Sequence, residues 1–479
     1  MKKHTTEITA AERAHSCPQQ PPNAPPICIF CALFFLSTLL RTGISALRLG
    51  RCTAALCSIM AAIAFAPLDS FARGNEGGYV VHEWGTFTSV QGSDGVPLRW
   101  RPLESSALPK FVYDWQRPGL QRSLPVQMLL RKDLISALQR METPVIYFYA
   151  DKPQSVDVSV DFPKGRITEW YPQAAQIGPA VSADPVHRDA SLEQSSARWS
   201  QVELLPQKQN SSLAGALPLD SLGTHYFAAR ETDAAYLRIP SLDSARTAHE
   251  IEKFIFYRGT GDFATPLRVS TGPGNSVVVA ATGSEPLAHV FVLEVNQRTG
   301  GFLQIKRLKP GEQRTIDLAA NDLAVPVEQL SGQLASSMTA ALVTQGLYPR
   351  EAAAMVKTWK DSWFAEEGVR VLYILPRTWT DSTLPLRLTP PPKELVRVMV
   401  GRAEVLTPAL QHRLSGAITR ANSGDAGARA LVLSELKSLG RFAEPAISLA
   451  VVGADAETTQ TAWRLFQTAS KPTTASEFE

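Results

Sequence analysis

The feature that most constrains the fold is a series of short β-like segments that runs from residue 79 to about residue 308. Residues 155–162 are the clearest case, because valines and a phenylalanine alternate strictly with aspartates and serines. Such alternation puts the apolar side chains on one face of a strand and the polar ones on the other. Turn residues such as those at 272–275 separate the segments. Many short strands at this spacing predict an antiparallel sandwich or barrel.

After residue 320 the pattern changes to helical spacing. Residues 325–345 carry apolar side chains three or four positions apart, and a second helix is predicted to begin at Pro349. Strands return at residues 369–375 and 395–400, and three or four short helices are predicted between residues 408 and 469. The predicted fold class is therefore α+β, an antiparallel β-sandwich-like body followed by a helical C-terminal region.

These patterns divide the chain into four predicted parts. Residues 1–72 are a leader and signal peptide, and residues 73–320 are a β-rich domain. Residues 321–406 are a helix pair with returning strands, and residues 407–479 are a small helical bundle with a disordered tail.

The N-terminal part has the elements of an export signal. Arg48 and Arg51 precede an apolar run at residues 53–67, and a small-x-small site follows, so we expect cleavage after Ala72. The alternative is a membrane anchor that is never cleaved. Residues 1–45 are either an unusually long leader or the result of a start codon assigned too early. All five cysteines lie before residue 58, so the mature chain is predicted to be cysteine-free and periplasmic or secreted.

The charge balance excludes one class of partner. Residues 1–72 hold six of the 48 basic residues and three of the 45 acidic ones, so 42 of each lie in residues 73–479 and cancel. A nucleic-acid binder needs an excess of basic residues to replace the counterions of the phosphates. The sequence therefore predicts no nucleic-acid partner.

Several long motifs resemble one family of exported bacterial proteins of uncharacterised function. They are VHEWGTFTSV at residues 81–90, METPVIYFY at 141–149, TEWYP at 168–172, ARETDA at 229–234, EKFIFYRG at 252–259 and DSWF at 361–364. The resemblance covers roughly residues 80–408. It implies export, and it carries over neither a reaction nor a catalytic residue.

The richest charged motif is Arg230-Glu231-Thr232-Asp233, with His225 six residues before Glu231. In an extended segment Glu231 and Asp233 share one face, with Cα atoms about 7 Å apart. Two carboxylates at that separation act as acid and base or share a hard cation such as Ca²⁺. The hypothesis names His225, Glu231 and Asp233 as catalytic. The alternative is a solvated strand face, and the sequence identifies neither a metal nor a cofactor.

A second group of motifs combines aromatic rings with charges. Exposed aromatic rings beside polar groups stack on sugars or anchor a protein partner. The predicted binding residues are Glu83, Trp84, Trp170 and Arg258. The alternative is that the rings belong to the core, with their polar atoms hydrogen-bonded.

The known short catalytic motifs are missing from the sequence. It contains no G-x-S-x-G elbow, P-loop, H-E-x-x-H or dinucleotide fingerprint. We therefore expect an exported binding or structural protein of the cell envelope, with a glycan or another envelope protein as partner. The alternative is a secreted or periplasmic hydrolase that uses carboxylates and a histidine, with or without a divalent metal. Membrane contact is expected only through an uncleaved N-terminal segment.

Overall fold

The computed structural model describes residues 77–103, 108–114, 135–179, 194–221, 224–241, 248–318 and 324–470. The predicted signal peptide, all five cysteines and the predicted tail after residue 470 lie outside the described residues. The chain divides into two units, residues 1–72 and residues 73–479, and the fold is that of the second unit. In the described ranges no helix combines the length and the apolar character needed to cross a membrane.

The regular elements are numbered in chain order. The strands are β1 (Gly77–Gln91), β2 (Pro97–Leu98), β3 (Tyr113–Asp114), β4 (Gln139–Ala150), β5 (Gln154–Phe162), β6 (Gly165–Tyr171), β7 (Gln176–Gly178), β8 (Ser195–Leu205), β9 (Tyr236–Pro240), β10 (His249–Glu252), β11 (Ile255–Gly261), β12 (Leu267–Thr271), β13 (Val277–Ala281), β14 (Leu287–Asn296), β15 (Thr299–Leu308), β16 (Gln313–Ile316), β17 (Val325–Pro326), β18 (Gly368–Ile374), β19 (Leu386–Thr389) and β20 (Pro392–Val405). The α-helices are α1 (Thr224–Ala228), α2 (Val327–Thr344), α3 (Pro349–Lys360), α4 (Arg377–Thr383), α5 (Pro408–Asn422), α6 (Ala426–Leu439), α7 (Ala443–Ala450) and α8 (Ala456–Ala469).

The largest sheet has the strand order β17-β15-β14-β18-β20-β1-β4-β11-β6-β3, and β2 pairs with β1. Its pairs are antiparallel except β1 with β20, which run parallel. The predicted boundary at residue 320 falls within this sheet, because β18 and β20 lie between β14 and β1. Strands from the beginning and the end of the β-rich region thus meet at its centre.

Apolar residues fill three cores around this sheet. The first core lies between the large sheet and two smaller ones, β10-β9-β8-β5-β19 with β7 and β12-β13-β16. The second lies between the opposite face of the large sheet and helices α2 and α3. The third is enclosed by helices α5 to α8, together with Val90 and Trp100. The predicted α+β class is confirmed, with large antiparallel sheets followed by C-terminal helices.

A bulge in β4 decides which way its first charged residues point. Glu142 lies opposite Thr86 and Val145 lies opposite Trp84, so three steps along β4 match two steps along β1. Side chains alternate along a strand, so the extra residue reverses the alternation. Arg140 and Glu142 therefore lie on the same face of the sheet as Val145, and Glu142 contacts Arg441 of the C-terminal helical region there.

Glycine is required opposite the bulge. Thr143 within it has a left-handed φ of 41°. A Cβ on Gly85 would lie only 2.9 Å from the Pro144 Cα atom and 3.0 Å from a methionine sulfur of β20. The GTF part of the first motif and the ETP part of the second therefore form one packed unit in the structure.

Candidate functional site

Residues 230–233 form a turn, so the prediction of an extended segment is wrong. The N–H of Glu231 donates to the carbonyl of Ala228 in helix α1, and the N–H of Thr232 donates to the carbonyl of Arg230 at 2.8 Å. The end of a short helix captures the backbone groups that a strand pairing would need. Glu231 and Asp233 consequently do not stand on one face of a strand.

The three predicted catalytic residues all contact helix α3. Glu231 Oε1 is 2.6 Å from Lys357 Nζ, and Asp233 pairs with Arg350, with the four side chains 53–62% exposed. His225 Nδ1 lies 3.0 Å from a backbone carbonyl of the same helix. Exposed ion pairs of this kind contribute about 0–1 kcal/mol each. The geometry is that of a solvated docking contact between a turn and a helix.

Hydrogen bonds of the buried charged residues Glu252 and Lys253 hold this turn in place. Arg230 binds Glu252 through three hydrogen bonds, from Nε to Oε1 at 2.9 Å and to Oε2 at 3.2 Å, and from Nη2 to Oε2 at 2.6 Å. The Lys253 ammonium donates to the carbonyl oxygens of Arg230 and Thr232. Burial and the nearby Arg350 lower the pKa of Lys253 to about 8. The nitrogen atoms of the Arg230 and Lys253 side chains therefore all donate to oxygen atoms of the protein.

The described residues do not form the predicted aromatic binding surface. Trp84 and Trp170 are both fully buried, Trp84 in the second core and Trp170 in the first. The expectation of exposed rings is wrong for these two, because their strands are covered on both faces. Glu83 is also buried, where it accepts hydrogen bonds from the Tyr257 hydroxyl and the Arg397 guanidinium.

Arg258, the fourth predicted binding residue, is buried in a paired state. Its Nε and Nη2 donate to the two carboxylate oxygens of Glu169 at 2.8 and 2.9 Å. The pair lies beside Arg140, whose pKa responds to both charges. Arg258 therefore lies next to a larger group of charged residues on the same face of the sheet.

We call this group the arginine cluster. Its members are Arg140, Arg370, Arg402 and Arg441 with Glu142, Glu366 and Glu404. Arg140 on β4 and Arg402 on β20 both lie opposite Thr88 of β1. Residues opposite each other on neighbouring strands point to the same face, and strands are about 4.8 Å apart. The two arginines thus stand on one face with roughly 10 Å between their Cα atoms.

The helical C-terminal region closes the cluster through Arg441 and Phe442. Arg441 Nη1 donates to both oxygens of Glu142 at 2.9 and 3.2 Å. The guanidinium carbons of Arg402 and Arg441 lie 5.2 and 4.9 Å from the centre of the Phe442 ring. Cation–π contacts of this length are favourable. The sheet and the helices therefore meet across a charged layer.

Arg370 and Arg402 also have carboxylate partners. Arg402 donates from Nη2 to Glu404 at 2.8 Å and to Glu366 at 2.7 Å. Arg370 reaches both oxygens of Glu404, from Nε at 3.1 Å and from Nη2 at 3.3 Å. Charge-assisted bonds of this kind offset much of the cost of removing a guanidinium from water.

Arg140 is the exception. Its residue is 5% exposed, and no hydrogen bond or ion pair to its side chain occurs within the described part of the chain. Burial lowers the pKa of Arg140 to about 10, with Glu142 opposing, so the group is still a cation at pH 7. The cluster therefore contains a buried positive charge without its own partner.

Other donors of the cluster are also without hydrogen-bond partners. In the described structure these atoms include Arg140 Nε, Arg402 Nη1, Arg441 Nε, Arg441 Nη2 and the hydroxyls of Thr86 and Thr88. Native proteins satisfy most buried polar atoms, so a concentration of unsatisfied donors is unusual. These donors belong to three elements, β1, β4 and β20, and to the turn between α6 and α7.

Glu142 is strongly stabilised as a carboxylate in this setting. Burial alone would raise the pKa of Glu142, but Arg441 and Arg140 together lower it to about 2. In the same way Arg370 and Arg402 hold the pKa of Glu404 below its usual value against the effect of burial. Glu142 and Glu404 are thus ionised at neutral pH.

A separate pair joins His82 to Glu351 on the same face of β1. His82 Nδ1 lies 2.6 Å from Glu351 Oε2, and both side chains are buried. Glu351 also accepts from the Tyr149 hydroxyl at 2.7 Å and from the N–H of Tyr348 at 2.9 Å. His82 Nε2 is buried and has no hydrogen-bond partner in the described chain. A carboxylate thus orients a histidine whose second nitrogen is unused.

Sequence reasoning missed the arginine cluster and the His82 partner. The signal was present in one respect: Arg140, Glu142, Arg402 and Glu404 are charged residues adjoining segments predicted as apolar strands. The strand predicted at residues 395–400 ends before Arg402 and Glu404, whereas strands β4 and β20 of the structure include all four charged residues. Among the described residues no group of three or more His, Cys, Asp or Glu is placed to hold a metal ion.

No family model and no curated protein matches the chain. The solved structures similar to it include the Fcho1 Mu homology domain of Danio rerio with bound Eps15 peptide, with 8% identity and a TM-score of 0.27, over 70% of this chain and 99% of that chain. Two yeast delta-COP-I mu-homology domain structures, one complexed with a Dsl1 WxWxV peptide, are 7% and 9% identical with TM-scores of 0.22, over 69% of this chain and 96% of theirs. TM-scores this low do not establish a shared fold. The resemblance to exported proteins stays a prediction.

Proposed function

We propose that this protein is an exported binding protein of the bacterial cell envelope whose ligand carries a negative charge that binds at Arg140. The observation that carries the proposal is the buried Arg140 guanidinium, which forms no hydrogen bond or ion pair with a carboxylate among the described residues. Leaving a charge uncompensated in a protein interior costs several kcal/mol. A ligand that supplies the missing negative charge offsets this cost. A glycan or an envelope protein with an acidic group is the proposed partner class.

A purely structural role does not account for Arg140. Replacing an unpaired buried charge with an apolar side chain of similar size is neutral or stabilising. If this position affected only the stability of the fold, methionine would therefore be at least as favourable there as arginine. A binding role explains why a cation is retained there, because the favourable partner arrives with the ligand.

The export proposal rests on the N-terminal sequence. It is supported by the apolar run at residues 53–67, the site at Ala72 and the confinement of cysteine to residues before 58. N-terminal sequencing of the protein recovered from its host should give a chain that starts near Arg73. Recovery from the cytosol with residues 53–72 intact would contradict export.

The alternative is a hydrolase that uses carboxylates and a histidine. It is supported by His82 and Glu351 and not by the residues that the sequence predicts. His225, Glu231 and Asp233 form surface contacts, whereas His82 is held by Glu351 with its Nε2 atom unused. A carboxylate that orients a histidine in this way is the arrangement of a general base. A binding protein returns its ligand intact, and a hydrolase does not, so product analysis of the bound ligand separates the two proposals.

The anion proposal predicts an effect of Arg140→Met on stability. In sodium chloride, the variant should unfold at the same temperature as the wild type or at a higher one, because an unpaired buried charge is removed. Added acetate, sulfate or phosphate, at constant ionic strength, should raise the melting temperature of the wild type more than that of the variant. Differential scanning calorimetry measures both effects.

The matched control is Arg429→Met on the exposed side of helix α6. Sulfate and phosphate stabilise most folded proteins by exclusion from the surface, and the control and wild type should show this general effect equally. Equal anion effects in wild type and Arg140→Met would contradict the proposal. A large loss of stability of Arg140→Met in chloride would do so as well, since it would show that Arg140 is already paired.

A further inference from the structure

We infer that the cleft beside Trp379 is a second binding site, and that it takes one uncharged pyranose ring of a glycan. The inference is independent of the anion proposed at Arg140, because it rests on a different part of the fold. Four observations support it: the size of the cleft, the position of the tryptophan, the polar groups beside it and the charge of its lining.

The cleft lies where helix α4 meets the turn between strands β13 and β14. Its volume is about 210 Å³. A cavity of about 150 Å³ accommodates benzene, so this cleft has room for a single six-membered ring that carries hydroxyl groups. The described residues that line it are Pro266, Gly283, Ser284, Glu285, Pro376, Thr378, Trp379 and Ser382.

Trp379 is held by the first core while part of it lines the cleft. Its ring centre lies 5.4 Å from that of Phe87 and 5.8 Å from that of Phe263, and the Trp379 side chain is only partly buried. A ring that is already fixed loses little conformational entropy when a ligand binds. Trp379 therefore provides the accessible ring that the sequence analysis expects at Trp84 and Trp170, which are fully buried.

The indole N–H of Trp379 is available to a ligand. Within the described residues it donates to no protein atom. The indole N–H groups of Trp84 and Trp170 are shut off from solvent, and that of Trp379 is not. A hydroxyl oxygen in the cleft can therefore accept from it.

A carboxylate supplies the complementary acceptor. The Thr378 hydroxyl donates to Glu285 Oε1, which orients the carboxylate. Glu285 Oε2 accepts no hydrogen bond from the described part of the chain. A sugar hydroxyl both donates and accepts, so hydroxyl groups on one ring can pair with Glu285 and with the indole N–H together.

The lining of the cleft favours an uncharged ligand that is apolar on one face. Among the eight described lining residues Glu285 alone is charged, so an anion would be repelled. A ring without hydroxyl groups would remove the carboxylate from water without a hydrogen bond in return. An ammonium group is compact and strongly hydrated, whereas Pro266, Pro376 and the indole ring present apolar surface. A pyranose has C–H groups for that surface and hydroxyl groups for the polar side.

The experiment uses the methyl glycosides of glucose, galactose, mannose and N-acetylglucosamine as probes. Each is titrated into the purified protein, with binding followed by saturation-transfer NMR and calorimetry. We expect at least one of them to bind with a dissociation constant of about 1 mM, the affinity typical of a ligand with so few atoms.

Two variants assign the binding to the cleft. Trp379→Leu should weaken it at least about tenfold, and Glu285→Gln about three- to tenfold. Glu285 is partly exposed, so Glu285→Gln keeps the test decisive if Trp379→Leu does not fold. The matched controls are Trp463→Leu and Glu457→Gln in helix α8, which should bind like the wild type.

Three results would overturn the inference. The first is that no glycoside binds in a manner that depends on Trp379 or Glu285. The second is that cyclohexanol, which has the same ring size and one hydroxyl group, binds as tightly as the best glycoside, since this would show an apolar site. The third is that choline binds more tightly than any glycoside, which would show a cation site. The anion proposal at Arg140 fails or stands on its own tests with acetate, sulfate and phosphate.

Discussion

Glu142→Gln should lower the free energy of unfolding by about 3–5 kcal/mol. The change keeps the shape of the side chain and removes the carboxylate that pairs with Arg441 and faces Arg140. Breaking a buried pair by removing one partner leaves an uncompensated charge, and losses of this size are typical. Lowering the pKa of Glu142 from 4.5 to about 2 corresponds to a similar contribution, about 3 kcal/mol. Urea denaturation at pH 7 measures the change.

The matched control for this prediction is Glu203→Gln. Glu203 pairs with Arg238 at 2.9 Å, but these side chains are 39% and 36% exposed. Such a pair contributes about 1 kcal/mol or less, so the control should change stability little. A loss for Glu142→Gln no greater than the control's would show that the charged layer is not a tightly coupled network.

The difference in stability between wild type and Glu142→Gln should also depend on pH, and the lowered pKa of Glu142 gives the sign. The pKa of Glu142 is lower in the folded protein than in the unfolded chain, so its contribution is complete above about pH 4.5. As the pH falls from 4.5 toward 2, the carboxylate takes up a proton and the contribution is lost. The stability difference between wild type and Glu142→Gln should therefore shrink over that range. A difference that is constant down to pH 2.5 would contradict the assignment.

Gly259→Ala should destabilise the protein by about 3 kcal/mol or more. A Cβ on Gly259 would overlap the backbone carbonyl oxygen of Arg166 and lie 2.9 Å from its carbonyl carbon. These atoms belong to the neighbouring strand β6, where Gly259 pairs with Ile167. Backbone cannot move aside as a side chain can, so the two strands would have to separate. The melting temperature and the free energy of unfolding both report the loss.

The matched control is the same substitution at Gly332, in the interior of helix α2. A Cβ there meets nothing within 4 Å. Alanine is a better helix former than glycine by up to about 1 kcal/mol, so Gly332→Ala should stabilise the protein slightly. Equal effects at the two glycines would refute the close approach of β11 to β6.

The candidate site was only partly accessible to sequence reasoning. The motif ARETDA is visible in the sequence as a concentration of charge, but its carboxylates pair with Lys357 and Arg350 of a helix more than 100 positions away. Arg258 was selected for binding and lies beside the arginine cluster. The aromatic residues Trp84 and Trp170 were assigned to a surface, and the structure buries them because a helical layer and a second sheet cover the two faces.

The sequence by itself determined the fold class and the position of most strands and helices. These follow from periodicity and turn residues, which are local properties, so β5 and α2 could be recognised from their own residues. Only the tertiary structure decided which charges meet. Arg441 reaches Glu142 across 299 positions and Arg397 reaches Glu83 across 314, because β20 pairs in parallel with β1 and the helices return to its end. A one-residue bulge in β4 then sets the face to which Arg140 points, and no local pattern contains that register.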